Sequence, residues 1–254
     1  MKKFYEFKNI TPTNADLFVY GEIVQENEVD WWTGEKSETA VGLMDFKEQL
    51  DNIGNVNNLN IYINSPGGDV FTASTMISML ERVKDRGTII NAYVDGLSAS
   101  AASFLMMVAN NIYLYKNSTV MVHKPMSIAI GNAFDMQKTI DALDKIENSV
   151  MLPMYMNKAK VTDKEIKKLV DNETWLSASD MEKYFDITIL NEEKVAVASI
   201  KSNLFKNYKH VPDHFKNVEI EEVNNDKENE IKTKLGLINI SLKLKEKKGM
   251  IDNE

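Results

Sequence analysis

Leu59-Asn-Ile-Tyr-Ile-Asn-Ser-Pro-Gly-Gly-Asp69, followed by Val70, Ala73, Ile77, Leu80 and Val83 at helical spacing and by Thr88-Ile-Ile-Asn-Ala-Tyr-Val94, is the run that decides the fold. Leu59–Ile63 alternates apolar and polar side chains, as a strand does. Pro66-Gly67-Gly68 breaks it, the helical stripe follows, Gly87 stops the helix, and a second strand begins. Strand, glycine turn, helix and strand make a βαβ unit, for which a right-handed parallel crossover is expected. The pattern repeats once. Gly96-Leu-Ser-Ala-Ser-Ala-Ala-Ser-Phe-Leu105 follows Tyr93-Val94-Asp95 at the strand end and opens an apolar helix to about Asn110. Ile112–Tyr115 and Val120–Val122 are then strands, the second closed by His123-Lys124-Pro125.

Outward from this centre the pattern is looser. Residues 1–15 read as a lead-in, Asp16–Tyr20 as a strand ending at Gly21, and Glu22–Thr39 as a polar loop carrying Trp31-Trp32. Leu43, Phe46 and Leu50 mark a helix, and Asp51–Asn58 a turn-rich connection. Ser127–Asn132 reads as a loop or extended arm, and 133–158 as one long helix kinked at Pro153, which lacks the N–H a helix interior needs. Met151, Met154 and Met156 suit core filling or a subunit contact. Thr162-Asp-Lys-Glu165 is a capping box for a helix to about Val170; Asp171–Leu176 is a linking segment; Ser177-Ala-Ser-Asp180 caps a helix to about Tyr184. Val195–Ile200 suits a late strand. Beyond Phe205 the chain turns rich in Lys, Glu and Asn, with a short element at Leu235–Leu244. The expected division is a domain over residues 1–200 and a polar tail or linker over 201–254.

Bulk properties narrow the class. The chain has 254 residues, 43% hydrophobic and 27% charged, which suits one globular domain with an appendage. With no Cys there are no disulfides or thiolate metal sites, in keeping with a reducing, cytoplasmic setting. Met1-Lys-Lys-Phe-Tyr-Glu-Phe-Lys8 has no apolar core behind its lysines, so no signal peptide is expected. No apolar run approaches the roughly 18 residues of a membrane span. A net charge of −8 argues against general nucleic-acid binding. His123, His210 and His214 lack metal-ligand spacing, so no metal and no cofactor are expected.

The chemistry-bearing residues come in separate pieces. Gly67 and Gly68 lie between a strand and a helix, where backbone N–H groups can face an anion. Ser100 lies at a helix start, an environment that favours developing negative charge. His123 ends a strand, and strand ends face the ligand crevice of βαβ folds. Each has a plainer structural explanation alone. Together they supply a hydroxyl nucleophile, a base of near-neutral pKa and backbone donors.

Ile63-Asn-Ser-Pro-Gly-Gly-Asp-Val70, Gly96-Leu-Ser-Ala-Ser-Ala-Ala-Ser103, Met121-Val-His-Lys-Pro125 and Glu173-Thr-Trp-Leu-Ser-Ala178 resemble, in order, the motifs of the Clp protease proteolytic subunit (ClpP) family. The resemblance covers about residues 16–190. It is closest to the phage-type branch, the Clp-like head maturation (prohead) proteases, in the Asp95–Ser103 string, in Glu173–Ala178 and in Tyr20-Gly-Glu-Ile23. It implies an α/β, ClpP/crotonase-like spiral of βαβ units with a long handle helix. It also implies a serine endopeptidase with Ser100 as nucleophile, His123 as base and the N–H groups of Gly68 and Ala101 as oxyanion donors. Substrate strands would pair beside Gly67, Gly68 and Asp69 and beside Pro125 and Met126. The family's third member, an aspartate, falls on Glu173, one methylene longer by about 1.5 Å; Asp171 is the alternative. Ser98 is a weaker candidate nucleophile.

The resemblance also sets expectations about partners: protein or peptide substrates, among them capsid and scaffold proteins, and a homo-oligomer of heptameric or stacked rings. The segment before residue 40 does not resemble the axial-loop sequence that engages an AAA+ unfoldase, so dependence on such a ring is not expected. Where the family often carries a helix-ending glycine after the tyrosine matching Tyr184, this chain has Phe185. Three further readings compete: a housekeeping proteolytic subunit fed by an unfoldase, a crotonase-type acyl-CoA enzyme, which needs no Ser–His pair, and an inactive assembly module.

Overall fold

The computed structural model describes residues 5–24, 40–41, 43–192 and 202–216. The Trp31-Trp32 patch, the Val195–Ile200 strand and the Leu235–Leu244 element lie outside the described residues.

The chain enters on β1 (Tyr5–Lys8), antiparallel to β2 (Asn14–Tyr20). This corrects the expected lead-in: Tyr5 and Phe7 pack on Phe46 with ring centroids 6.2 Å apart, and that burial carries a strand too short and too mixed to be seen by pattern. β3 (Glu22–Ile23) pairs parallel with β4 (Ala40–Val41). α1 (Leu43–Asn52) buries Phe46 and Leu50. β5 (Asn58–Ser65), α2 (Val70–Asp85) and β6 (Ile89–Ala99) form the expected βαβ unit, its strands parallel. Asp69 caps α2 by accepting from the Thr72 N–H, and Ala73, Ile77, Leu80 and Val83 are buried as their spacing predicts.

β6 runs past Val94, where the sequence suggests an end. A short α3 (Ala101–Leu105) and a 3₁₀ turn at Met106–Val108 replace the longer helix expected to Asn110. The cause is tertiary: β6 serves two neighbours. Its first part pairs with β7 (Asn111–Tyr115), and Leu97–Ala99 pair with β8 (Thr119–Val122), so the strand must stay extended to reach both.

α4 (Ala133–Ile146) is the long helix, continued by a π turn at Glu147–Met151 and by α5 (Leu152–Met156). Pro153 stands in the first turn of α5, where its missing N–H is tolerated; the irregularity sits in the turn before it. α6 (Asp163–Asp171) begins with the expected capping box at Thr162. Residues expected to link contain β9 (Thr174–Ser177), antiparallel to β8. α7 (Ala178–Tyr184) follows the Ser177 capping box and ends without glycine: the Phe185 N–H donates to Met181 O at 2.8 Å and its ring is fully buried. β10 (Thr188–Leu190) joins β7. After a 3₁₀ turn at Asn203–Asn207 comes α8 (Asp213–Lys216).

The main sheet orders β1-β2-β5-β6-β7-β10, with β8 beside the end of β6 and β9 beside β8. Its face away from the helices carries two cross-strand ladders. Phe18, Tyr62, Tyr93 and Tyr113 stack in register, and Asp16, Asn60, Asn91 and Asn111 hydrogen-bond side by side. The main core lies between the other face and the helices. A second, smaller cluster joins Leu97, Ala99 and Met121 to Trp175 and to Leu204, Phe205, Tyr208, Val211 and Phe215. The compact unit therefore extends to Lys216, and residues 203–216 pack on the sheet where the sequence suggests a linker.

Candidate active site

The glycine turn after β5 is held from both sides. Asn64 Oδ1 accepts from the Leu97 N–H at 3.0 Å, and the Ser65 hydroxyl donates to Gly21 O and accepts from the Gly67 N–H. The Ile23 N–H donates to Gly67 O, and the Asp69 N–H donates to Ile23 O, so the turn pairs with β3 like a strand. In that arrangement Gly68's own N–H points away from Ile23, and it has no protein acceptor among the described residues. Gly67 and Gly68 have φ of 97° and 144°, and a side chain fits at neither. A Cβ on Gly67 would lie 2.6 Å from Ser100 Cβ, and one on Gly68 2.0 Å from Ile23 O.

Ser100 occupies the corner between β6 and α3 with φ 52° and ψ −123°. A non-glycine residue there carries about 1–3 kcal/mol of strain, which surrounding structure must hold. The Ser100 N–H donates to Met121 O at 2.9 Å, and Ser103 Oγ donates to Ser100 O at 2.6 Å while contacting the buried Tyr155 hydroxyl. The corner therefore pushes the Ser100 side chain out of the strand. Its Oγ lies 2.7 Å from His123 Nε2. Ser98 is fully buried, and its hydroxyl has no partner among the described residues, so it faces no base. Ala101 opens α3, and its N–H is one of those a helix start leaves unpaired.

His123 is only 5% exposed. Burial pushes its pKa down to about 4, opposed by the nearby Glu173 charge, so the ring is neutral at pH 7 and able to accept a proton. Glu173 is buried at the head of β9 with φ 47°. It makes no hydrogen bond to the His123 ring; its Oε1 accepts instead from the N–H groups of Lys209 and His210, at 2.6 and 2.7 Å. Asp171 points elsewhere: it pairs with Lys124 at 2.9 Å, and Lys124 and Lys167 also hold the buried Glu147. That network fastens the π turn to α6 and leaves Asp171 half-exposed.

A groove of about 670 Å³ opens on Ser100 and His123. Gly68, Asp69, Pro125 and Met126 line it, whereas Gly67 lies beneath, against Ser100. Thr139, Leu143 and Ile146 of the long helix form the far wall. Leu204, Asn207 and Tyr208 also line it, and sequence reasoning missed them. The available signal was weak: Leu204, Phe205, Tyr208, Val211 and Phe215 are apolar positions spaced through a polar stretch. Among the described residues no cluster could hold a metal ion, and no helix is long and apolar enough to cross a membrane.

A family model described as Clp protease matches residues 14–187. Among curated proteins the chain is 28% identical over 158 residues to ATP-dependent Clp protease proteolytic subunit 1 of Salinibacter ruber, covering 61% of this chain and 66% of that protein. It is also 28% identical over 138 residues to the ATP-dependent Clp protease proteolytic subunit of a Bacteroides fragilis strain, covering 53% of this chain and 64% of that protein. The chain thus spans slightly under two thirds of the length of these relatives.

Proposed function

The chain belongs to the Clp protease family, and from that premise we propose that it is a serine-type endopeptidase with Ser100 as nucleophile and His123 as general base. The observation that carries this reading is the 2.7 Å approach of Ser100 Oγ to His123 Nε2 beside two glycine-turn and helix-start N–H groups. Neutral His123 takes the hydroxyl proton as Ser100 Oγ attacks a peptide carbonyl carbon. The N–H groups of Gly68 and Ala101 hold the oxyanion of the tetrahedral intermediate. As the C–N bond breaks, His123 returns the proton to the leaving amine, leaving an acyl ester on Ser100. Water, deprotonated by His123, attacks that ester; as the ester C–O bond breaks, His123 returns the proton to Ser100 Oγ and the acid is released. Glu173 supports the imidazole by charge. A substrate strand fits by main-chain pairing beside Gly68–Asp69 and beside Pro125–Met126.

A fluorophosphonate probe tests this directly. The intact protein takes up one label on Ser100, and Ser100→Ala takes up none; labelling that persists in Ser100→Ala and disappears in Ser98→Ala defeats the assignment.

The narrower reading is a phage-type head maturation protease acting on capsid and scaffold proteins, supported by the Asp95–Ser103 and Glu173–Ala178 strings. The second reading is a proteolytic subunit served by an AAA+ unfoldase; it draws support from relatives named as ATP-dependent subunits. Cleavage of folded capsid or scaffold protein without ATP favours the first, and ATP-dependent degradation with an unfoldase the second. A ring-forming homo-oligomer fits the exposed Ile128 and Ile130 in the segment before the long helix and the exposed Phe134 in its first turn, and native mass measures it.

A further inference from the structure

Residues 202–216 lie beyond the stretch that matches the family, yet they touch His123, Pro66 and Glu173. The Tyr208 ring meets the His123 ring edge to face, with centroids 5.2 Å apart. The Tyr208 hydroxyl donates to Pro66 O at 2.7 Å, in the glycine turn itself. Burial raises the Tyr208 pKa, and the Ser100 hydroxyl is close enough to oppose that rise. The next two N–H groups, of Lys209 and His210, both donate to Glu173 Oε1. Resting on the peptidase reading, we propose that Tyr208 and the Lys209 and His210 amides are positioning groups of the active site, which seat the His123 ring and fix the Glu173 carboxylate.

The physical need is specific. Glu173 sits in a left-handed conformation and carries a longer, freer arm than an aspartate would. Two N–H donors on Oε1 remove that freedom and hold the carboxylate beside His123. Tyr208 is itself held: it is 8% exposed, lies against Trp175 and Phe205, and is tied to Pro66. The segment forms a wall of the groove rather than filling it. Ser100 and His123 stay paired, and the side lined by Gly68, Pro125 and Met126 stays open.

Among the described residues, the ionisable groups facing His123 are Glu173 from the turn just before β9, Tyr208 from the segment and Ser100 from the corner before α3. His210 sits behind Glu173, its Nδ1 3.3 Å from Glu173 O, and Lys124 directs its charge to Glu147 and Asp171. Opening the Tyr208 side to water therefore moves the His123 pKa upward, because its depression comes first from burial.

The test compares the full-length chain with Tyr208→Ala and Tyr208→Phe, by peptide turnover and by the ring-proton NMR titration of His123. In Tyr208→Ala, kcat falls by up to about 10²-fold with KM changed less than about twofold. Its His123 titration moves from about 4 toward the ordinary 6.5, and the acidic limb of kcat/KM moves with it. Tyr208→Phe keeps the ring, so the titration stays low while loss of the Pro66 tie lowers kcat by about three- to tenfold. Should Tyr208→Ala not fold, Tyr208→Phe still decides. Faster turnover or faster probe labelling in either variant overturns the proposal and makes the segment a cover; unchanged kcat with an unchanged titration overturns it as well. The titration needs no turnover, so a wild-type protein that fails to label Ser100 defeats the peptidase reading separately.

Discussion

The two sides of the candidate site are built by different means. On one, the glycine turn, the Ser100 corner and the end of β8 are successive strand ends locked by backbone pairing, with gaps too small for a single added carbon at Gly67 and Gly68. On the other, residues 203–216 lie on the sheet through aromatic side chains and a few bonds to Pro66 and Glu173. The first arrangement places atoms through the chain's own covalent geometry. The second places them through docking, and docked segments open at lower free energy than sheet interiors. On the proposed reading, chemistry that tolerates no displacement belongs on the first side, while the second adjusts the orientation and hydration of the His123 ring.

Substitutions on the two sides should separate accordingly. Ser100→Ala, at the rigid corner, has the largest effect: kcat falls by roughly 10⁶-fold in a peptide assay, with the fold intact by circular dichroism. Gly68→Ala would place Cβ 2.0 Å from Ile23 O, which swings the amide proposed to hold the oxyanion out of line. It costs about 10²–10³-fold in kcat, read beside a thermal melt that reports the accompanying loss of stability. Glu173→Ala stands where the two sides meet. Turnover falls by about 10–10²-fold, less than the ~10⁴ of a triad whose acid bonds the imidazole directly. Asp171→Ala gives the smallest change: its ion pair with Lys124 is half-exposed and contributes no more than about 1 kcal/mol, seen as a small fall in melting temperature. If Asp171→Ala cuts turnover more than Glu173→Ala, the acid is misassigned and the contrast between the sides fails.

The same contrast has a pH signature. His123 has a folded pKa depressed to about 4 against about 6.5 when unfolded. Its contribution to stability is thus complete above pH 6.5 and is lost as pH falls toward 4, because the unfolded chain takes up the proton first. Denaturant midpoints measured across that interval should fall with pH, and the fall should be shallower in His123→Gln.

Much of the rigid side is legible in the sequence. The βαβ unit, its glycine break, the capping boxes at Thr162 and Ser177 and the long helix rest on local rules of periodicity, capping and turn chemistry, which need no knowledge of distant residues. The extension of β6 to Ala99 escapes that reading, since it depends on a second partner strand that enters twenty residues later in Thr119–Val122. β1 and β9 escape it for the same reason: they are short strands stabilised by what they pair with. The docked segment is the least legible. Its lysines and asparagines dilute the apolar positions, and only contact with Leu97, Met121 and Trp175 turns Tyr208 and Val211 into core.

The residue types and their order along the chain, by themselves, determined the α/β class, the strand-ending glycines and which serine, histidine and acidic residues were candidates for a shared site. Local propensity and side-chain chemistry are properties of short stretches, so they survive being read without coordinates. Only the tertiary structure decided which serine meets the imidazole, that Asp171 is spent on a lysine, and that a segment beyond residue 200 holds Glu173. Those are distances between residues far apart in sequence, fixed by how the whole core closes rather than by any stretch of it.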